Sequence, residues 1–407
     1  MINLEVPKKF EQLVDQAHMV AIEIFRKNSR KYDLAEHEYP KELDMLAAVI
    51  EGANPSGAGA GTVGSGSGGN GKSPKDRKGN RNGSNMSTLL GLTELCWGDV
   101  GLLLTMPRQG LGQAAIAAVA DEEQLQRFGG KWAAMAITEP EAGSDSAAIR
   151  TTAKLDEDTG EYVLNGEKIF VTSGDRAELI VVWATLDPSQ GRAAIKSFVV
   201  ERDNPGLKLE RLEHKLGIRA SDTANFALDD CRVPKENLLG SPEIAPKGGF
   251  AGVMQTFDNT RPLVAGMAVG VAKACLDRTR ELLAEAGVEI DYDKPLHAQS
   301  AASAEFISME SDWEAARLLT LRAAWMADNR KPNSVQASMA KAKAGRVGTD
   351  VALRCVALAG AIGYGEGELL EKWARDVKIL DIFEGTQQIQ LLIIARQLLG
   401  RTSAELK

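Results

Sequence analysis

The change of hydrophobic periodicity at Lys131 constrains the fold of this 407-residue chain more than any other feature. Before this residue, apolar side chains recur every three or four positions, as in amphipathic helices, and they do so again after about residue 248. Between the two regions lie many short β-type runs with no helix among them, which predict a small antiparallel barrel or sandwich. We therefore expect an α+β fold with a helical N-terminal domain over 1–130, a central antiparallel β domain over 131–240 and a C-terminal four-helix-type bundle over 241–407.

The predicted strands are short and separated by turn-forming residues. Asp158-Thr159-Gly160 lies between two of them, and Asn165-Gly166 predicts a hairpin between two others. Arg232-Val233-Pro234 is expected to close the domain. We place the strands at 133–138, 151–155, 161–164, 168–172, 179–186, 195–201, 207–212 and 224–228.

The helices are predicted from apolar residues at helical spacing. In the N-terminal region they cover 6–50, with a break at Pro40, and 86–128. In the C-terminal region, Asp258-Asn259-Thr260 followed by Pro262 is typical of a helix start. The helices expected from there span 260–286, 297–328, 334–359 and 366–376, with a last one from about Thr386.

A glycine-rich segment over 52–85 interrupts the N-terminal helices. Residues 52–71 contain nine glycines and no charge, and residues 72–81 carry five basic residues against a single acid. Such a composition cannot bury enough apolar surface to stay ordered, so a flexible surface loop is the main expectation. A phosphate-binding lid is the alternative, although the segment lacks the GxxxxGKS/T pattern of a P-loop.

Composition limits the classes of function that the chain can have. A net charge of −8 argues against a general nucleic-acid-binding surface. The chain has no run of about 18 apolar residues and no secretory signal at its N-terminus, so we expect a cytoplasmic protein without a membrane span. Four widely separated cysteines and four histidines without ligand spacing predict free buried thiols and no metal site.

Residues 381–390 contain a carboxylate that is well placed for chemistry. Glu384 lies between Phe383 and Gly385, and Thr386 can cap the apolar helix that follows. The glycine leaves room for a ligand to approach the carboxylate. The structural alternative is that Glu384 only stabilises the helix N-terminus through the macrodipole.

Two stretches of the β region carry groups suited to a planar cofactor. In residues 137–145, a predicted strand leads into a polar turn whose hydroxyls and backbone N–H groups can bind phosphate or ring heteroatoms. In residues 168–174, strand alternation places Phe170 and Thr172 on one face, where they can stack on one ring and hydrogen-bond to it. Each stretch alone is equally compatible with an ordinary turn or strand.

These stretches, together with the order helices, strands, helices, resemble the acyl-CoA dehydrogenase family. TEPEAGSD at 138–145, KIFVTSG at 168–174, GIRASDT to RVPKENLLG at 217–240 and FEGTQQIQ at 383–390 occur in the family's order and spacing. The chain looks most like actinobacterial members that act on fatty acids or steroid side chains. The resemblance implies an FAD-dependent enzyme that oxidises an acyl-CoA to a trans-2-enoyl-CoA and passes electrons to an electron-transfer flavoprotein.

The resemblance also implies roles for individual residues. Glu384 matches the catalytic base, which removes the α-proton of the thioester while the flavin accepts a hydride from the β-carbon. Arg219 is expected to be structural. Positions that match cofactor contacts are Ile137, Thr138, Ser144, Phe170, Thr172, Thr386 and Gln388, and those that match substrate contacts are Ser144, Asp258, Arg261 and Gly385.

The sequence departs from the family at two FAD contacts. Residues 286–292 lack the family's arginine, and Ala357 stands where a glutamine is usual. One explanation is that other residues hold FAD. The other is that a different family member supplies the arginine in a dimer or tetramer of unlike subunits. The functional alternatives are an acyl-CoA oxidase and a non-catalytic partner subunit, and the sequence does not specify the acyl group.

Overall fold

The computed structural model describes residues 6–53, 81–107, 111–244, 251–402 and 405. Most of the glycine-rich segment over 52–85 lies outside these residues. A π-helical stretch, Ala21–Arg26, joins the first two helices. The helices are α1 (Glu11–Val20), α2 (Lys27–Leu34), α3 (Glu42–Ala53), α4 (Ser84–Gly98), α5 (Val100–Thr105), α6 (Leu111–Val119), α7 (Glu122–Phe128), α8 (Ala251–Glu285), α9 (Ala301–Asp328), α10 (Ser334–Tyr364), α11 (Leu370–Val377) and α12 (Gln387–Leu399).

The middle of the chain folds into one mixed sheet. Its strands are β1 (Ala133–Ala136), β2 (Thr152–Asp156), β3 (Glu161–Thr172), β4 (Leu179–Thr185), β5 (Ile195–Glu201), β6 (Leu207–Leu212), β7 (Thr223–Pro234) and β8 (Leu238–Leu239). They lie in the order β6-β7-β3-β2-β4-β5-β8, and β1 pairs with β4. The α+β class is confirmed. The expected antiparallel pattern is wrong at two pairings, since β1 and β2 each pair with β4 in parallel. The strands that lie between them in the sequence provide the crossover that a parallel pairing requires.

The predicted hairpin at Asn165-Gly166 is wrong. β3 runs without a break from Glu161 to Thr172 and pairs with β7, with a register shift at Gly166. Gly166 has a φ of 153°, and a Cβ there would lie 2.5 Å from Thr151 Oγ1. The glycine is required for a close approach within the sheet, not for a turn.

The predicted helix start at 258–260 is also wrong. α8 begins at Ala251 and contains Pro262 in its interior. Proline removes one helical hydrogen bond and normally ends or bends a helix. The residues that follow it, Leu263 and Val264, are almost fully buried in the helical core, so tertiary packing outweighs the local cost of the proline.

Charged as well as apolar contacts hold the helical and β regions together. Among the described residues, apolar side chains form one cluster among the helices and two in the sheet region. Lys372 of α11 is buried and donates to Asp99 Oδ2 at 2.6 Å and to Asp376 Oδ2 at 2.5 Å. The backbone N–H of Ile218, between β6 and β7, donates to Asp376 Oδ1 at 2.5 Å. These contacts dock the sheet onto α11, which precedes the candidate site.

Among the described helices, α10 is long and apolar enough to cross a membrane by length and composition, with a mean hydropathy of 1.3 in its most apolar window. It bends at Gly360, where φ is 58°, and it packs against α8, α9, α11 and α12. The buried Lys341 lies within it. These contacts are those of a core helix in a bundle.

Candidate active site

A turn between α11 and α12 carries Glu384 on a strained backbone. Glu384 and Gly385 both have left-handed backbone angles, with φ of 58° and 89°. A residue other than glycine rarely adopts such an angle, so surrounding contacts must hold Glu384 in place. Gln390 provides two, since its Nε2 donates to the carbonyl oxygens of Glu384 at 3.2 Å and Gly385 at 3.1 Å. Thr386 caps α12 by accepting from the Ile389 N–H at 3.3 Å.

Glu384 is half-buried as a residue, but its carboxylate is enclosed by the protein and only half satisfied. Its Oε2 accepts a hydrogen bond from the Thr260 hydroxyl at 2.8 Å. Its Oε1 is buried and has no hydrogen-bond partner within the described part of the chain. Loss of water raises the pKa of Glu384, while Thr260, Arg261 and Lys341 oppose the rise. A carboxylate with a raised pKa is a stronger base than an exposed one.

Two cations approach the same turn from neighbouring helices. Lys341 of α10 is buried, and its Nζ donates to the Gly385 carbonyl at 2.7 Å. Burial lowers the pKa of Lys341 to about 8, although Asp381 and Glu384 favour its charged form. Arg261 of α8 is also buried, and its charge acts on both Glu384 and Lys341. The candidate base therefore lies between a hydroxyl group and two positive charges.

A second group of predicted residues lies where β1 and β3 meet. Glu139, in the turn after β1, accepts from Lys168 Nζ at 2.6 Å, and both side chains are buried. Burial lowers the pKa of Lys168 to about 8, and Glu139 opposes this shift. Lys168 also donates to the Ile137 carbonyl at 3.1 Å, and the Ile169 N–H donates to the Thr138 carbonyl at 2.9 Å. Ile137 and Thr138 are thereby held beside β3.

Phe170 is held at the surface next to this junction. Its side chain is 58% exposed, its φ is 59°, and its N–H donates to the buried Asn225 Oδ1 at 3.1 Å. The register of β3 against β7 shifts between Lys168 and Val171. This bulge interrupts the regular alternation of side chains along β3. Strand alternation therefore no longer supports the prediction that Phe170 and Thr172 lie on one face. The structure instead presents an exposed ring on a strained backbone, with Thr172 half-buried.

The other predicted residues lie around these two groups. Ser144 is exposed on the turn after β1, and Gln388 is exposed in the first turn of α12. Arg219 donates through Nε to the Lys215 carbonyl at 2.9 Å, a contact that fits a structural role. The side chain of Asp258 lies outside the described residues. The structure thus places Arg261, Glu384, Gly385, Thr386 and Gln388 around the turn before α12, and Ile137, Thr138, Ser144, Phe170 and Thr172 where β1 meets β3.

Sequence reasoning missed the residues that support the candidate site. Thr260 and Lys341 contact the Glu384 turn, and the Glu139–Lys168 pair organises the turn after β1, but no signal in the local motifs assigns them a role. Periodicity could have found Lys341. It occupies the position of α10 where the buried stripe of small residues would otherwise continue, and a lysine in such a stripe needs a partner.

A group of potential metal ligands contains none of the residues of the two groups above. Glu36, His37 and His214 each offer one ligand atom, and these atoms lie within 4.8 Å of one another. Glu36 Oε2 pairs with His214 Nδ1 at 2.9 Å, and Glu36 Oε1 accepts from the Lys215 N–H at 2.8 Å. The histidine spacing in the sequence carried no signal for this cluster. The four cysteines are buried and free, as predicted.

Two family models match the chain. Residues 134–231 match the acyl-CoA dehydrogenase middle domain, and residues 247–399 match the acyl-CoA dehydrogenase C-terminal domain. The first match covers most of the sheet. The second covers the C-terminal helices together with the Glu384 turn.

Individual proteins agree with these matches. The short-chain specific mitochondrial acyl-CoA dehydrogenase of Mus musculus is 40% identical over 271 residues, which are 67% of this chain and 64% of that enzyme. The acryloyl-CoA reductase (NADH) of Anaerotignum propionicum is 36% identical over 273 residues, which are 67% of this chain and 68% of that protein. The structure of butyryl-CoA dehydrogenase from Megasphaera elsdenii is similar with a TM-score of 0.81 and 29% identity, and the match covers 98% of this chain and 100% of that one.

Proposed function

We propose that this chain, which belongs to the acyl-CoA dehydrogenase family, oxidises the α,β bond of an acyl-CoA thioester to a trans-2-enoyl-CoA. The family predicted from the sequence is confirmed, whereas the role of each residue stays a prediction. The observation that carries the proposal is the Glu384 carboxylate, buried at a strained turn with an Oε1 that no described residue binds. A buried carboxylate with one available oxygen is suited to take a proton from a substrate.

The proposed reaction breaks two C–H bonds of the acyl group. FAD, when bound, accepts the hydride that leaves the β-carbon. The α-proton passes to Glu384 Oε1, and the electron pair of the broken Cα–H bond forms the new double bond. Thr260 holds Oε2, which leaves Oε1 for the substrate. Burial raises the pKa of Glu384 and so strengthens it as a base.

The described residues where β1 meets β3 fit a planar cofactor. Phe170 presents an exposed ring, and Asn225 fixes the backbone beneath it. A Cβ on Gly143 would meet only Thr138 Cγ2, at 4.0 Å, so the turn after β1 leaves open space beside Thr138. A ring can stack on a flavin, and threonine hydroxyls can hydrogen-bond to its heteroatoms. We assign Ile137, Thr138, Ser144, Phe170, Thr172, Thr386 and Gln388 to FAD binding.

The acyl-CoA is assigned to the side of the turn that faces α8 and α10. Arg261 of α8 is buried and acts electrostatically on Glu384, and Gly385 follows the base directly. A thioester carbonyl that accepts hydrogen bonds at such a site makes its α-proton more acidic. We assign Asp258, Arg261 and Gly385 to the acyl-thioester and Ser144 to the CoA moiety.

The reduced cofactor must be reoxidised, and we propose that an electron-transfer flavoprotein accepts its electrons. Oxygen consumption during turnover separates the two alternatives, because an oxidase would consume oxygen and a dehydrogenase would not.

We further propose a cytoplasmic dimer or tetramer. Either other residues of this chain hold FAD, or the arginine that residues 286–292 lack would come from an unlike subunit. Retention of one FAD per chain by the protein purified alone would count against that arrangement.

Visible absorption of the purified protein tests the proposal. Spectra are recorded before and after anaerobic addition of acyl-CoAs that range from butyryl-CoA to long-chain and steroid-side-chain thioesters. Flavin bands that bleach with one class support the function and identify the substrate class. Flavin bands that no acyl-CoA bleaches would overturn it. A protein that stays colourless after FAD is added would instead point to the unlike-subunit assembly.

A further inference from the structure

We propose that Lys341 is a positioning residue for the candidate base, because its ammonium group holds the Glu384–Gly385 turn and favours the ionised form of the Glu384 carboxylate. The catalytic consequence rests on the function proposed above. The effect of Lys341 on the turn and on the pKa of Glu384 involves only residues of this chain, so it can be measured without turnover.

Lys341 donates a hydrogen bond to the turn that carries Glu384. Lys341 Nζ lies 2.7 Å from the Gly385 carbonyl oxygen, which also accepts from Gln390 Nε2 at 3.1 Å. Glu384 has a φ of 58°, which a residue with a Cβ adopts only when its surroundings require it. A hydrogen bond from an ammonium group is stronger than one from an amide. Lys341 is therefore the stronger of the two restraints on the Gly385 carbonyl.

Burial fixes the position of the Lys341 side chain. Its side chain is only 1% exposed. Gly345, one helical turn further along α10, lies so close to the segment before the turn that a Cβ there would be 3.0 Å from Asp381 Cα. The backbone of α10 is thus in close contact with the segment that leads into the turn, and Lys341 reaches the turn itself through its hydrogen bond to Gly385.

Lys341 also acts electrostatically on the Glu384 carboxylate. Asp381 and Glu384 face Lys341 from the turn, and Arg261 faces it from α8. Lys378 donates to Asp381 Oδ2 at 3.1 Å, so Asp381 already has a cation of its own. Glu384 is stabilised as an anion by Thr260, Arg261 and Lys341, and removal of Lys341 would leave it with the Thr260 hydrogen bond and the Arg261 charge. The lysine charge therefore adds to Thr260 and Arg261 in favouring the ionised form of Glu384.

Three substitutions separate the hydrogen bond from the charge. Lys341→Arg keeps both, Lys341→Gln keeps a donor without the charge, and Lys341→Met removes both while it retains a flexible apolar chain. Lys343→Gln is the matched control. Lys343 lies two residues further along the same helix, is partly exposed and pairs with Asp312 at 2.9 Å, away from the turn.

Carboxyl-carbon NMR of the protein with ¹³C-labelled glutamate tests the inference on the protein as purified. The Glu384 signal is identified by its absence from the spectrum of Glu384→Gln. We expect the pKa of Glu384 to rise by about one unit in Lys341→Gln and Lys341→Met, and to stay near the wild-type value in Lys341→Arg and Lys343→Gln. An unchanged pKa in both Lys341→Gln and Lys341→Met would overturn the inference.

The pH profile of flavin reduction in a single turnover measures the catalytic consequence. The acid limb should move to higher pH in Lys341→Gln, and Lys341→Met should also slow the reaction by about 100-fold because the turn is displaced. Wild-type rates and pH limbs in both variants would contradict the positioning role. If the wild-type protein reduces no flavin while the NMR shift is present, the proposed function fails and the role of Lys341 in the turn remains.

Discussion

Two groups of buried charge in this molecule differ in how their carboxylate oxygens are satisfied. In the cluster around Lys372, each oxygen of Asp99 and Asp376 accepts at least one hydrogen bond. At Glu384, one oxygen accepts from Thr260, and the other has no partner among the residues that the structure describes. Both groups lie next to α11, since Lys372 and Asp376 are part of this helix and the Glu384 turn follows it.

The comparison separates a stabilising role from a reactive one. A fully satisfied network is rigid and joins the elements that contribute to it, as the Lys372 cluster joins α5, α11 and the loop between β6 and β7. A buried carboxylate with an unsatisfied oxygen costs stability, and such costs concentrate at functional sites. Glu384 fits the second description.

The largest expected effect on stability comes from Lys372→Met. The substitution leaves Asp99 and Asp376 buried without their cation, and breaking a buried pair in this way costs about 3–5 kcal/mol of unfolding free energy. Urea unfolding followed by circular dichroism measures the loss. A loss below about 1 kcal/mol, as is typical of surface ion pairs, would contradict the stabilising role of the Lys372 cluster.

Thr260→Val tests the effect of the single hydrogen bond to the Glu384 carboxylate. It removes the hydrogen bond that favours ionised Glu384, so the pKa of Glu384 should rise by about one unit. The acid limb of the rate of flavin reduction should move to higher pH by the same amount. Thr260→Ser keeps the hydroxyl and serves as the control. Identical acid limbs in Thr260→Val and wild type would show that the contact does not act on the base.

The pH dependence of stability gives a smaller effect of defined sign. The pKa of Glu384 is raised by burial, so the folded state holds this proton more tightly than the unfolded state. The contribution of Glu384 to stability is thus fully present below its unfolded pKa of about 4.3 and is lost as pH rises through the folded pKa.

Glu384→Gln should therefore be more stable than wild type at pH 7 by about 1 kcal/mol of unfolding free energy. This difference should disappear below about pH 4. Urea unfolding at several pH values measures it. A variant that is clearly less stable than wild type at pH 7 would show that the ionised carboxylate stabilises the fold, which would remove the contrast with Lys372.

The smallest effect is expected for Lys208→Met. Lys208 and Asp229 form an exposed ion pair on the sheet, where solvent screens the charges. The urea midpoint should equal that of wild type within the error of the measurement. A shift as large as that of Lys372→Met would mean that burial does not explain the difference between charged groups in this protein.

Local patterns predicted the order of the regions because periodicity depends on neighbouring residues. The failures are tertiary. Gly166 looked like a turn residue because its approach to Thr151 cannot be seen locally, and Pro262 looked like a helix start because the burial of the residues after it is a property of the bundle.

The same division applies to the candidate site. Glu384 is recognisable because its motif is contiguous. Thr260 donates to it from 124 positions away, and Lys341 reaches the Gly385 carbonyl across 44 positions, so neither contact has a local signature. The bulge at Phe170 likewise depends on the pairing of β3 with β7, which strand alternation alone does not reveal.

The role of Glu384 is tested most directly by anaerobic stopped-flow reduction of FAD in wild type and Glu384→Gln. The two proteins are compared at equal flavin content with an acyl-CoA that bleaches the wild type. We predict that Glu384→Gln keeps its flavin bands but is reduced at least about 100-fold more slowly, because an amide cannot accept the α-proton. Reduction of Glu384→Gln at the wild-type rate would contradict the assignment of Glu384 as the base.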